Sequence, residues 1–239
     1  MYEYGKRIGF SECGTDRKLT LTGLIDTFQD CSTFQSEDVG AGFDVLEKLD
    51  LVWVINYWEI EIITSPKLFD RVIVGTFPYS FKSCFGLRNF YLKDENGDYL
   101  VKANSMWTLI NRTRAHPEKA PDFVQQAYTI EPKLDMTYSS RKVLLPQGDA
   151  TELEKRDPIV IQPHHLDSNN HVNNGQYVKL AMSQIGDPGN IRSLRIDYRR
   201  QAKLGDTIVP VVYSGQNERV VALYDTGNEP FSVSQFIFE

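Results

Sequence analysis

The sequence predicts an α+β chain built from two similar units, each an antiparallel sheet curled around a long central helix. Three observations carry this. A helical run near the N-terminus is followed by long β-branched and aromatic runs, including "VWVINYWEIEII" and "DRVIVGTFPYSF". The turn residues "DENG" separate the last two runs, which is a hairpin signal. The second half then repeats the order of the first.

Leu21, Leu24, Ile25, Phe28, Cys31 and Phe34 recur at helical spacing and mark one buried face. Strands are expected from Val52 to Ile63, over "DRVIVGTFPYSF", over "CFGLRNFYLK" and over "DYLVKANSMWTLI". A helix with the strands of a meander packed on it is a layered α+β arrangement. In the second half, "WEIEIITSPKLFDRVIV" aligns with "LRIDYRRQAKLGDTIVP", pairing Lys67 with Lys203, Leu68 with Leu204 and Asp70 with Asp206 at one offset. A second helix is expected from Asn174 to Ile185, with Tyr177, Leu180, Ala181 and Ile185 facing inward. Between the halves, "HPEKAPDF" reads as extended, because Pro117 and Pro121 disfavour helix at and before them. The expected organisation is a first unit over residues 1–115, a linker over 116–156 and a second unit over 157–239.

A formal charge of −6 argues against a nucleic-acid partner, whose binding would rest on a basic surface. Cys13, Cys31 and Cys84 lack CxxC spacing, so neither a disulfide framework nor a zinc site is implied. No apolar run approaches the ~20 residues of a membrane span. A cytoplasmic protein is the simplest expectation.

The most polar stretch is "HHLDSNNHVNNGQYVKLAM", starting at His164 and running into the second helix. Asn and Asp favour turns and caps, which gives it an ordinary structural explanation. The first half has "CGTDRKLTLTG" in the equivalent place, with neither His nor Asn. Starting a helix there does not require the cluster, which favours a functional role for it. A helix N-terminus carries unpaired N–H groups and partial positive charge, suited to a carbonyl oxygen that becomes an oxyanion. Asp167 is placed to act as general base on water, with Asn169 and His171 to orient that water or share its proton. His164, His165, Asp167 and His171 are metal-ligand types, but their spacing matches no closed site and no metal is expected. No G-x-S-x-G occurs, and Cys84 reads as a buried strand cysteine rather than a nucleophile.

"DSNNHVNNGQY" resembles the D-x-N-x-H-V-N-N-x-x-Y motif of the acyl-acyl carrier protein thioesterases, a family of two tandem hotdog domains. "WVINYWEIEIITSPKLFDRVIVGT" and "GLRNFYLKDENGDYLVKANSMWTLINRTR" are similar to further segments of that family, in the same order. The resemblance implies hydrolysis of a fatty acyl thioester, with catalytic Asp167, Asn169 and His171. Gln201 falls where the family usually has a further acid, and Ala202 where plant members carry Cys. Gln can hold a water but cannot take its proton. Asn173 and Asn174 are expected beside the substrate as turn and cap. The first unit is expected to supply the acyl pocket, with Phe28, Trp53 and Trp58 among its lining. No cofactor is implied, since the substrate carries the phosphopantetheine arm. The implied partner is an acyl carrier protein, an acidic protein met by a basic surface. Candidate docking residues are Arg195, Arg199, Arg200 and Lys203, with Arg112, Arg114 and Lys119 as a second cluster. Monomer and homodimer both stay open. So do two other functions, an acyl-CoA thioesterase and a non-catalytic acyl-binding hotdog protein.

Overall fold

The computed structural model describes residues 1–146, 152–167, 169–186 and 189–239. The chain divides into two compact units, Met1–Tyr138 and Ser139–Glu239. In the first, β1 (Tyr2–Arg7) is followed by α1 (Leu21–Asp38) and the short α2 (Phe43–Lys48). Four long strands follow: β2 (Leu51–Ile62), β3 (Arg71–Lys82), β4 (Phe85–Lys93) and β5 (Tyr99–Asn111). They form an antiparallel sheet in the order β1-β3-β4-β5-β2. α1 starts at the Thr20 cap, whose Oγ1 accepts the Gly23 N–H at 3.0 Å. It buries Leu24, Ile25, Phe28 and Cys31. Phe28, Trp58 and Phe90 pack with centroids 4.8–6.0 Å apart, each fully buried. Burial of side chains this size stabilises by roughly 1.5–3 kcal/mol each.

The predicted strands match in type and nearly in boundary. Phe34 is a correction: it is 44% exposed and meets Tyr4 edge-on at 5.7 Å instead of facing the core. Cys84 is another. It lies half-buried in the turn between β3 and β4, not within a strand.

The stretch expected as a linker is structured over part of its length. β6 (His116–Pro117) pairs with β5, and α3 (Asp122–Gln126) starts directly after Pro121, its N-cap. A Pro at the start of a helix sacrifices no intrahelical bond, so it marks this helix rather than forbidding it. Val124 and Tyr128 pack with Leu46, Leu51 and Leu109 in a satellite core. Residues 147–151 of the expected linker lie outside the described residues.

The second unit has β7 (Glu152–Lys155), β8 (Ile159–Val160) and α4 (Asn174–Met182), then four strands. These are β9 (Ile191–Tyr198), β10 (Thr207–Ser214), β11 (Glu218–Tyr224) and β12 (Pro230–Phe238). The order β9-β12-β11-β10, with β7 and β8 both on β10, matches the first unit read from β2. α4 buries Tyr177, Val178, Leu180 and Ala181. It stops at Met182, short of the predicted Ile185, because the chain tightens into turns from Ser183. Each unit is a helix on an antiparallel sheet, the arrangement expected of a hotdog domain.

Candidate active site

The polar stretch builds a closed five-residue loop in front of α4. A 3₁₀ turn at Pro163–His165 leads into it, and Leu166 and Val172 pair across its base. The Asp167 N–H donates to His171 O at 2.8 Å, and the Asn170 N–H to Asp167 O at 3.1 Å. Asp167 Oδ1 accepts the N–H groups of Asn169 at 2.8 Å and His171 at 3.2 Å. Asn170 takes the left-handed conformation, φ 59°, which Asn tolerates better than most residues. Asp167, Asn169 and His171 thus occupy alternate positions of one tight turn, Asn169 exposed and the other two half-buried.

The loop is tied down on both sides. The Val172 N–H donates to Ala202 O at 3.1 Å, and the Asn173 N–H to His165 O at 2.9 Å. Asn173 caps α4, its Oδ1 accepting the Gly175 N–H at 2.7 Å. The Asn174 carbonyl, in the first turn of α4, accepts from the Tyr198 hydroxyl at 2.9 Å. One N–H that would polarise a carbonyl is therefore already engaged by the cap.

Gln201 is exposed and sits one residue from the Ala202 carbonyl that holds Val172. The residues flanking it are gripped by Tyr177. The Tyr177 hydroxyl accepts the Ala202 N–H at 2.7 Å and lies 3.5 Å from Arg200 O. Burial pushes its pKa up to about 12, so it stays protonated and works as a hydrogen-bonding post. Sequence reasoning assigned Tyr177 only an inward-facing place on the helix. The signal that could have found it is its fixed place in the motif beside an exposed backbone segment.

His165, noted in the sequence only as a metal-ligand type, belongs instead to the scaffold of the loop. It is buried, and its Nδ1 accepts the Gln162 N–H at 3.0 Å, which puts the ring proton on Nε2. Burial, then the neighbouring His164 and Lys179, hold its pKa below the ordinary histidine value.

The candidate pocket residues of the first unit divide. Phe28 and Trp58 are interlocked in the core, while Trp53 is half-buried against Phe81 at 6.2 Å. The candidate docking arginines of the second unit are held internally. Arg195 donates to Gln235 Oε1 and Ser140 O, and Arg199 to Asp197 Oδ2 and Val143 O. Arg200 donates to Asp225 Oδ2 at 2.6 Å and lies over the Phe231 ring. Lys203 is exposed, with its N–H on Asp206 Oδ2. In the second cluster, Arg112 pairs with Glu47, Arg114 with Glu118 and Lys119 with Asp122.

Two family models match this chain: the acyl-ACP thioesterase N-terminal domain over residues 2–128, and its C-terminal domain over residues 149–230. The chain is 25% identical over 214 residues to oleoyl-acyl carrier protein thioesterase 1, chloroplastic, of Arabidopsis thaliana, covering 82% of this chain and 59% of that protein. It is 26% identical over 208 residues to acyl-[acyl-carrier-protein] hydrolase FATB3, chloroplastic, of Cuphea viscosissima, covering 80% and 50%. The chain thus spans between half and three-fifths of the length of these relatives. Among solved structures, an acyl-ACP thioesterase from Bacteroides thetaiotaomicron VPI-5482 superimposes with a TM-score of 0.86 at 24% identity, covering 99% of this chain and 97% of that one. The 12:0-ACP thioesterase from Umbellularia californica gives 0.83 at 20% identity, covering 100% and 96%. These likenesses show a shared fold.

Proposed function

Because the chain belongs to the acyl-ACP thioesterase family, we propose that it hydrolyses the thioester of a fatty acyl–acyl carrier protein and releases the free fatty acid. The observation that carries this reading is the 167–171 loop at the start of α4. It places Asp167, Asn169 and His171 on alternate positions of one turn, pinned next to the segment that bears Gln201.

In the proposed reaction a water attacks the thioester carbon while the Asp167 carboxylate takes its proton. Asp167 Oδ1 shapes the turn, and the second oxygen is assigned to the water. Asn169, His171 and Gln201 orient that water through their amide and imidazole groups. The carbonyl oxygen gains negative charge against the N-terminal end of α4. A direct bond to the Gly175 N–H requires the Asn173 amide to yield it. The C–S bond then breaks, and the thiolate of the phosphopantetheine arm leaves and recovers a proton. The acyl chain is assigned to the first unit, where each further buried methylene adds about 0.8 kcal/mol and so biases chain length.

The test is thioester hydrolysis across acyl chain lengths, on carrier-protein and coenzyme A substrates in parallel, with Asp167→Ala as control. Hydrolysis of the carrier-borne substrate, lost in Asp167→Ala, is the expected result. A wild-type protein inactive on every thioester would overturn the reading, and equal rates on matched coenzyme A substrates would favour the broader alternative.

A further inference from the structure

The first unit builds the same frame as the second and hangs cations on it. Arg7 and Arg71 are partners in the β1–β3 ladder, and Lys18 pairs with Lys67. The Leu68 N–H donates to Arg17 O at 2.8 Å, the Phe69 N–H to Ile8 O at 3.1 Å and the Ile8 N–H to Asp70 O at 2.9 Å. These bonds gather Arg7, Arg17, Lys18, Lys67 and Arg71 at one end of the sheet. The equivalent residues of the second unit are Val160, Asn170, His171, Lys203 and Thr207, with a single lysine.

Arg7, Arg17, Lys67 and Arg71 are exposed, and none forms an ion pair among the described residues. The candidate docking cations Arg112, Arg114, Lys119, Arg199 and Arg200 all do. The acids within the patch are turned to the backbone: Asp16 Oδ1 accepts the Lys18 N–H at 3.0 Å and Asp70 Oδ2 the Lys67 N–H at 2.8 Å. Asp94 and Glu95 share a groove with Phe69 and Arg71 and mark the edge of the basic field.

Two exposed aromatic residues, Phe69 and Phe10, belong to the same loops and chain segments. Phe10 is 84% exposed and Phe69 61%, with the Arg7 guanidinium 5.1 Å above the Phe69 ring. Phe69 is left-handed, φ 75°, where the second unit has Gly205 at φ 83°. A bulky side chain is strained there, and an exposed ring recovers little of that strain by burial. Exposed aromatics beside exposed cations such as Arg7 and Lys67 are suited to anchor a protein interface. With a net charge of −6, the chain repels an acidic partner except through a local positive field of this kind.

We propose that this end of the first unit, centred on Arg7, Arg17, Lys67 and Phe69, is the docking surface for the acidic carrier protein; this rests on the function proposed above. A protein fits better than an anionic lipid surface, because these cations are fixed at ladder ends, whereas lipid surfaces are met by amphipathic helices or flexible basic runs.

The experiment measures binding of a fluorescently labelled acyl carrier protein to the full chain as salt is raised. Arg7→Glu/Arg17→Glu/Lys67→Glu should weaken binding at least tenfold and flatten its salt dependence. Lys48→Glu/Lys82→Glu, which also changes the net charge, should stay within about twofold. Lys48 follows the far end of α1, and α1 itself is about 27 Å long. Phe69→Gly should raise the melting temperature while weakening binding, a combination that a folding defect cannot produce. Equal binding by wild type and the triple variant overturns the proposal, as does capture by anionic vesicles with no carrier-protein binding. Hydrolysis of a small soluble acyl thioester by the triple variant at the wild-type rate separates the outcomes. Lost docking with intact hydrolysis supports the surface, whereas absent hydrolysis in wild type with docking retained sinks only the reaction.

Discussion

Residues 14–18 and the described residues of 167–171 share their backbone bonds in the two units. In each loop the first N–H donates to the last carbonyl, Gly14 to Lys18 at 2.9 Å and Asp167 to His171 at 2.8 Å. In each, the fourth residue is left-handed, Arg17 at φ 62° and Asn170 at φ 59°. In each, the residue after the loop donates to the far strand end, Leu19 to Pro66 O and Val172 to Ala202 O. Both are preceded by a 3₁₀ turn whose last side chain reaches back to a backbone N–H: Glu12 to Gly9 at 2.7 Å, and His165 to Gln162 at 3.0 Å. "GTDRK" and "DSNNH" are thus two fillings of one frame, and the frame needs neither Asn nor His. Apart from the Asp167 oxygen that closes the turn, what stands at 167, 169 and 171 is not dictated by the frame.

The largest effect should come from exchanging the fillings. Replacing residues 167–171 by "GTDRK" should leave the melting temperature within a few degrees and lower thioester hydrolysis by about 10³-fold or more, at least the middle of the 10²–10⁴-fold range usual for one acid–base group. A variant that unfolds would show the frames to be inequivalent.

The second test concerns how the far strand end is held. Pro66 has no N–H, and apolar Leu24 packs at the helix position matching Tyr177. Ala202 has an N–H, and the Tyr177 hydroxyl accepts it. Tyr177→Leu should therefore cost about 1–3 kcal/mol, the penalty of an orphaned buried donor. Adding Ala202→Pro should return part of that stability, read by denaturant melts. No recovery would mean the two ends are built differently.

Gln201→Glu is expected to change the hydrolysis rate by less than about tenfold if Asp167 takes the proton. A gain of orders of magnitude would identify a site working without its acid.

The smallest effect concerns pH. Burial holds His165 below its ordinary pKa of 6.5, so the unfolded chain binds this proton more readily than the fold does. Its contribution to stability is complete above about pH 6.5 and is lost as pH falls toward the folded value. His165→Glu, which copies Glu12, should narrow the melting-temperature gap between pH 7.5 and pH 5.

Much of this was legible in the sequence. The long strands and α1 declare themselves by periodicity, and the duplication by Lys67/Lys203 and Asp70/Asp206. The five-residue α3 was hidden because Pro121 suggests extended chain until one sees it cap a helix. The end of α4 was overshot since Ile185 keeps helical spacing after the helix has stopped. The role of Tyr177 depends on an N–H some twenty-five residues onward, a relation no local pattern encodes. The cations of the first unit escaped notice because Arg7, Arg17 and Lys67 are scattered in sequence and gathered only by the ladders.

The way each frame is fastened has a consequence for heat and acid. The first loop's far anchor is a proline, and its 3₁₀ turn is closed by a carboxylate. The second depends on a buried tyrosine hydroxyl and on an imidazole that acid can protonate. Loops held this way open at lower free energy than the sheet behind them. Gentle warming or acidification should therefore loosen the second loop reversibly while the circular dichroism spectrum still looks native.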